Sequence, residues 1–202
     1  MAKYAFQTFS GLSNGEILRK TIHISGFGVP LACIYLSNVR LVSMALFLVT
    51  VFYAASEIAR TKGTNIPAFS TITQKAVASN REINCFVTAP ISFTLGILVT
   101  LLIYPSYIAY ASIAVLTLGD SFACIFGKIF GKTPLVFNRK KKLEGTLCGF
   151  TCAFLGAILF VDPFKALGAA AVGMLTECLP FPIDDNFATP LAAGAAIILL
   201  SS

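Results

Sequence analysis

Residues 83–119 read INCFVTAPISFTLGILVTLLIYPSYIAYASIAVLTLG, thirty-seven positions without one Asp, Glu, Lys or Arg. A helix needs roughly 20 predominantly apolar residues to cross the hydrocarbon core of a bilayer. The run therefore holds two such segments, divided at Tyr104-Pro105-Ser106, where a proline turn belongs. Windows 145–161 and 186–202 lack the same four residue types. Charged residues make up 12% of the chain and hydrophobic ones 56%, whereas soluble domains carry about 25% charged residues. An ordinary soluble domain is excluded, and lipid is the solvent these segments suit.

Working outward, apolar runs between charges and Pro/Gly breaks predict seven membrane segments, at 23–37, 40–57, 84–103, 107–126, 145–161, 163–179 and 188–200. The fold class expected is an all-α polytopic bundle forming one domain over 1–202, with no internal repeat. Segment 163–179 holds Gly168, Ala169, Ala170, Ala171 and Gly173, which allow close helix approach and predict a place inside the bundle. The first fourteen residues are polar and aromatic rather than a secretory signal. Of six cysteines, Cys33, Cys85, Cys124, Cys148, Cys152 and Cys178, none forms a CxxC pair, so they read as small buried hydrophobes.

Lys and Arg accumulate in cytoplasmic loops. Lys3, Arg19 and Lys20 precede the first segment, Arg60, Lys62, Lys75 and Arg81 follow the second, and Lys128, Lys132 and 139–142 follow the fourth. Only Arg40 and Lys165 fall on the other side, so 13 of the 15 place the N-terminus in the cytoplasm. Acids played no part in that assignment, yet Glu16, Glu57, Glu82, Asp120, Glu144, Glu177, Asp184 and Asp185 fall at or near the same face. Local ion pairs are the plain reading. A shared site for metal and phosphate is the sharper one.

The densest group runs from Gly119-Asp120 through Gly127-Lys128 and Gly131-Lys132 to Lys141-Lys142-Leu143-Glu144-Gly145. An ionisable residue near the end of an apolar span is a functional candidate. Helical periodicity puts Asp120, Cys124, Gly127 and Lys128 on one side. Glycines allow close backbone approach to phosphate, and lysine supplies point charge. Residues 127–133, GKIFGKT, fall one short of P-loop spacing and follow a helix rather than a strand, so a P-loop is rejected. Headgroup binding alone is the competing reading of the basic loop. Glu177-Cys178-Leu179-Pro180 and Asp184-Asp185-Asn186 form a second group; adjacent carboxylates suit a hard cation such as Mg2+, or simply a polar turn. A third, Glu16-x-x-Arg19-Lys20-x-x-His23, contains the only histidine and reads as catalytic support or as an interfacial anchor. Glu57, Arg60, Arg81 and Glu82 flank an amphipathic stretch with Phe69, Ile72, Thr73 and Val77 that suits the membrane surface.

In this order, Glu16-x-x-Arg19-Lys20-x-x-His23, Gly119-Asp120-x-x-Ala123, Gly127, Gly131, Lys141-x-x-Glu144-Gly145, Glu177-x-Leu179-Pro180 and Asp184-Asp185-Asn186-x-x-x-Pro190 resemble the CTP-dependent lipid-alcohol kinases: dolichol kinase, phytol kinase and fungal-type diacylglycerol kinase. One departure is Lys142, where the family usually has Ser or Thr. The resemblance implies a helical membrane enzyme that uses CTP and a divalent cation to phosphorylate a lipid hydroxyl. It implies Asp120, Asp185 and Glu144 as catalytic, and Asp120, Asp184 and Asp185 on metal, with base and ligand roles unassigned. Gly119, Gly127, Lys128, Gly131, Lys132, Lys141, Gly145 and Asn186 would hold the nucleotide, supported by Glu16, Arg19, Lys20, His23 and Glu177. The partners implied are CTP, a membrane lipid alcohol and the bilayer, not nucleic acid. Cytidylyltransferases that make CDP-activated lipids share the Gly-Asp and Lys-x-x-Glu-Gly patterns, but their C-terminal His-Gly-Gly is missing here. A non-enzymatic transporter or lipid-binding protein is the remaining alternative, although such sites usually lie near the midplane. Small size and no transit peptide lead to the expectation of a prokaryotic plasma membrane, with the site on the cytoplasmic face.

Overall fold

The computed structural model describes residues 13–64, 86–180 and 182–201, in which every regular element is a helix. Helix α1 (Asn14–Ser25) starts with a capping box: the Ser13 hydroxyl accepts from the Glu16 N–H, and the Glu16 carboxylate accepts from the Ser13 N–H. The chain bends at Gly26 and Phe27 into α2 (Gly28–Leu36), which ends at Ser37 in the left-handed region, φ 50°. Asn38 caps α3 (Val39–Thr61) by accepting from the Leu41 N–H at 3.0 Å. Helix α4 (Ala89–Ile103) has Pro90 in its first turn, where the missing N–H is no loss, and stops before Pro105. Helix α5 (Ser106–Ile129) widens into a π-helix at Val115–Asp120. Then come α6 (Leu143–Ala157), α7 (Pro163–Cys178) and α8 (Asp185–Leu199). Asp162 caps α7 and Asp184 caps α8 by accepting from the N–H of Lys165 and Asn186.

Each of the seven predicted segments meets a helix, the first being split at Gly26. Among the described residues, two helices are long and apolar enough to cross a bilayer, α3 with 23 residues and α5 with 24. Helices α4, α6 and α8 are apolar but have 15 residues each, about 23 Å at 1.5 Å per residue against a core of roughly 30 Å. Helix α5 runs through the centre, with Ile108, Ala111 and Val115 in one apolar cluster and Ala109, Ile113 and Leu116 in another. The small-residue segment packs inside as expected, burying Ala166, Ala169, Ala170 and Gly173. Outer faces carry large apolar side chains: Met44, Phe47, Phe52, Leu102, Leu155 and Leu175 are each more than half exposed. Soluble monomers rarely show contiguous apolar surface on this scale, and hydrocarbon satisfies it.

At one end of the bundle Glu57 is buried, pairs with Arg60 at 2.5 Å and accepts the Val87 N–H at 2.8 Å, tying the end of α3 to the start of α4. The five described cysteines are free thiols. The expectations for Lys3, Lys75, Arg81, Glu82, Cys85 and the amphipathic stretch at 69–77 lie outside the described residues.

Candidate active site

Asp120 closes the π-helical turn of α5, and α1 crosses it carrying two basic side chains three residues apart. Lys20 Nζ lies 2.5 Å from Asp120 Oδ2, with side chains 5% and 14% exposed. His23 Nδ1 is 3.1 Å from the same oxygen, within ion-pairing distance rather than in hydrogen-bond alignment. Its ring stacks on Phe93 of α4, centroids 4.2 Å apart. A π turn shifts the register of the residues beyond it, a device frequent at functional sites. Here the charged residue falls on the last position of that turn.

A second node forms where the loop after α5 folds back. Lys141 Nζ donates to the Glu177 backbone carbonyl at 2.6 Å, to Glu177 Oε1 at 2.8 Å and to Asp185 Oδ2 at 3.4 Å. Partial burial works against the Lys141 ammonium, but the Glu177 and Asp185 carboxylates outweigh it and hold its pKa above the usual lysine value. Lys128 pairs with Glu16, joining α5 to α1. That hydrogen bond with Lys128 also holds the Glu16 carboxyl below its usual range.

These nodes face one cavity of about 420 Å³. Among its walls are Arg19, Lys20, Lys128, Lys140, Lys141 and Lys142, with the carboxylates Asp120, Glu177 and Asp185 between them. The predicted face of α5 is there: Asp120, Cys124, Gly127 and Lys128 all line the cavity, as do His23, Gly131 and Asn186. Asp184 lines an adjoining hollow of about 390 Å³ on the far side of Lys141. Lys132 is exposed and lines neither.

Three expected site residues are placed elsewhere. Glu144 accepts from the Thr133 N–H at 3.0 Å and the Thr133 hydroxyl at 2.9 Å, clamping the basic loop onto the first turn of α6. Gly119 and Gly145 are approached by protein instead of lining the cavity. A Cβ on Gly145 would lie 2.5 Å from Gly127 Cα, and one on Gly119 would lie 2.9 Å from Met174 Sδ. Gly119, Ala123 and Gly127 on α5 recur every fourth residue, as do Gly145, Gly149 and Ala153 on α6, so two small-residue ridges meet. This contact brings the lysine loop over Asp120.

Sequence reasoning did not find Lys140, Lys142 and Thr146 as cavity walls, Phe93 behind His23, or an apolar groove of about 360 Å³ that shares Arg19, His23 and Ala89 with the charged cavity. Lys20 and Asp120 are 100 positions apart, and a pairing of that span leaves no local pattern.

The donor set also bears on the divalent cation. Among the described residues no three His, Cys, Asp or Glu side chains cluster as a ready-made cage. Glu177 Oε2 is buried without a hydrogen-bond partner, and the Asp185 side chain is 45% exposed beside it. Hard oxygen donors of this number fit an ion of the Mg2+ type, which takes one or two carboxylates and completes its shell with phosphates and water.

No protein-family model matches the chain, and no solved structure matches it significantly. It is 29% identical over 147 residues to a probable chloroplastic phytol kinase of Zea mays, covering 63% of this chain and 48% of that protein. It is 27% identical over 146 residues to a chloroplastic farnesol kinase of Arabidopsis thaliana, covering 63% and 48%. With the CTP-dependent diacylglycerol kinase 1 of Schizosaccharomyces pombe it shares 24% identity over 157 residues, 67% of this chain and 72% of that one. The chain thus spans about half the length of the plant relatives it matches. These relatives are plant chloroplast proteins and a fungal one, so the expected prokaryotic plasma membrane finds no support. At 24–30% identity, the chain's homologues are phytol, farnesol and CTP-dependent diacylglycerol kinases, the lipid-alcohol kinase family that its ordered motifs resemble.

Proposed function

We propose that the chain transfers the γ-phosphate of CTP to the hydroxyl of a membrane lipid alcohol, of polyprenol, dolichol or phytol type or diacylglycerol. The observation that carries this reading is one cavity walled by six cations and three carboxylates at the end of an apolar bundle, sharing Arg19, His23 and Ala89 with an apolar groove. Phosphoryl transfer depends on positioning and on stabilising charge at the phosphoryl oxygens. Lys128, Lys141, Lys142 and Arg19 supply that charge. Lys20 and His23 both meet Asp120 at Oδ2. Its other oxygen is left to orient the acceptor hydroxyl, and His23 beside it takes the proton. Asp185, Glu177 and Asp184 would hold a divalent cation, which would supply positive charge to offset that of the phosphates. CTP as donor draws its support from the name of the fungal relative. We place the N-terminus and the loop 128–142 in the cytoplasm, with seven spans in all, on the Lys/Arg distribution.

The test uses purified protein, CTP labelled at the γ-phosphate, Mg2+ and a panel of lipid alcohols. Label should enter the lipid fraction with release of CDP. Cytidine on the lipid, with label leaving as pyrophosphate, would make the chain a cytidylyltransferase and overturn the assignment.

A further inference from the structure

We propose that the groove bounded by α1, α2, α3 and α4 is the acceptor-chain site: it takes the single hydrocarbon chain of a long-chain alcohol and presents the hydroxyl at His23. This rests on the kinase reading for its chemistry, although the groove's fit to a chain does not. Val29, Leu46, Val49, Phe93 and Ile97 form its walls, enclosing about 360 Å³. Its polar wall groups are already satisfied. The Thr50 hydroxyl bonds the Leu46 carbonyl at 2.8 Å and Thr94 Oγ1 at 2.9 Å, and the Thr94 hydroxyl bonds the Pro90 carbonyl at 2.9 Å. What remains for an occupant is apolar.

Polarity returns at one end only. Arg19, His23 and Ala89 line both the groove and the charged cavity. Arg19 Nε is buried there without a hydrogen-bond partner, and such a group calls for a polar ligand. The other side reaches the apolar exterior, where Val49 is 51% exposed and Ile22 37%. A molecule with one polar end and a long apolar remainder matches this layout, and its far end can stay in the bilayer.

The dimensions choose among apolar occupants. A carbon unit filling about the volume of a water molecule, roughly 30 Å³, would let the groove hold on the order of a dozen carbons. A helix of this chain or another protein is about 10–12 Å across and needs far more room. Diacylglycerol has two chains, and the groove seats one. The inferred preference is for single-chain isoprenoid or alkyl alcohols.

Two measurements test this. Val49→Trp narrows the groove from its half-exposed wall. The ratio of kcat/KM for geranylgeraniol, with twenty carbons, to that for prenol, with five, should fall about ten-fold or more. Leu155→Trp, on an exposed face of α6 away from the groove, should keep the ratio. For binding, the chain has no native tryptophan, so Leu46→Trp reports the groove alone. Without nucleotide, a long-chain alcohol brominated in mid-chain should quench it saturably, geranylgeraniol should reverse the quench, and Leu155→Trp should show only a linear rise with added lipid. Saturable quenching at Leu46→Trp, with a wild-type protein that phosphorylates no alcohol, keeps the groove and sinks the kinase reading. Phosphorylation with linear quenching at Leu46→Trp, or with an unaltered ratio in Val49→Trp, keeps the kinase and sinks the groove. Cross-linking of two chains through this face would also overturn the proposal.

Discussion

Replacing Lys20 by Met tests whether the ion pair beside the cavity is structural, functional or both. Lys20 and Asp120 are 5% and 14% exposed and meet at 2.5 Å, so the substitution strands a carboxylate in a wall with only His23 nearby. Removing one partner of a buried pair costs about 3–5 kcal/mol. For a chain of this length each kcal/mol lowers Tm by roughly 2–4 °C, so a fall of roughly 6–20 °C is expected. Asp120→Asn should cost a similar amount by stranding the ammonium. The double variant removes both charges and should recover part of the loss, giving a coupling of about 1–3 kcal/mol. Six cysteines and no tryptophan make a thiol-reactive fluorophore in detergent the suitable unfolding probe. Phosphotransfer should be lost in all three, since the double variant regains stability without regaining the carboxylate. Single-variant losses that add to within about 0.5 kcal/mol in the double would refute the buried pair. Activity in Asp120→Asn near that of the parent would refute the role given to Asp120.

At the α5–α6 crossing, a Cβ on Gly149 would lie 2.6 Å from Ala123 Cβ and 2.6 Å from the Gly119 carbonyl; Gly149→Val should cost about 1–3 kcal/mol by the same dye assay. Gly168→Ala, which meets only the end of the Leu200 side chain, should stay within about 0.5 kcal/mol. Lys141→Ala should raise the KM for CTP. Because the folded pKa of Lys141 is raised, its pairing is fully present below the unfolded value of about 10.4 and is lost only as pH rises through the folded one, so Lys141 titration should leave that KM flat between roughly pH 6 and 9. A tag after Ser202 should lie across the membrane from the loop 128–142 in sealed, oriented vesicles; a tag on the same side would defeat the seven-span topology.

Charge-free windows located the helices because lipid excludes charge along a whole segment, and that exclusion survives any detail of packing. The face carrying Asp120, Cys124, Gly127 and Lys128 was legible for a similar reason: helical period is local, and the π turn ends at Asp120, where the series begins. The glycines were harder. Gly119 and Gly145 carry the composition of a phosphate cradle, yet each is closed by another helix or side chain, and one sequence cannot tell the two approaches apart. Glu144 shows the same limit. Its neighbours are lysines in sequence, but Thr133 takes it in space through a fold-back whose one β-bridge joins Pro134 to Lys142. The bend at Gly26 splits what hydropathy reads as one span, because Gly26 is where Phe93 and Thr117 come too close for any side chain.

The balance of charge in the cavity bears on which phosphorus is attacked. Its walls hold six Lys and Arg side chains against three carboxylates, a surplus of three. A fully ionised nucleoside triphosphate brings about four negative charges, two on the terminal phosphate and one on each inner phosphate. One divalent cation reduces that to about two, which the surplus covers. A neutral alcohol adds nothing and leaves the sum at about +1, whereas a lipid phosphate takes it to about −1, so the placing of charge rather than its total separates the two acceptors. A lipid phosphate would add nearly two more negative charges, and they would sit at the groove end, where Arg19 is the one fixed cation in the groove's walls. The placing of the fixed cations therefore favours an uncharged acceptor, in line with the proposed γ-phosphate transfer. Adding a second cation there, as in Ala89→Lys, should therefore improve binding of a lipid monophosphate while leaving a lipid alcohol no better bound. Competition by each lipid against phosphorylation of geranylgeraniol measures both, and equal inhibition by the two lipids in the parent protein would refute the charge argument.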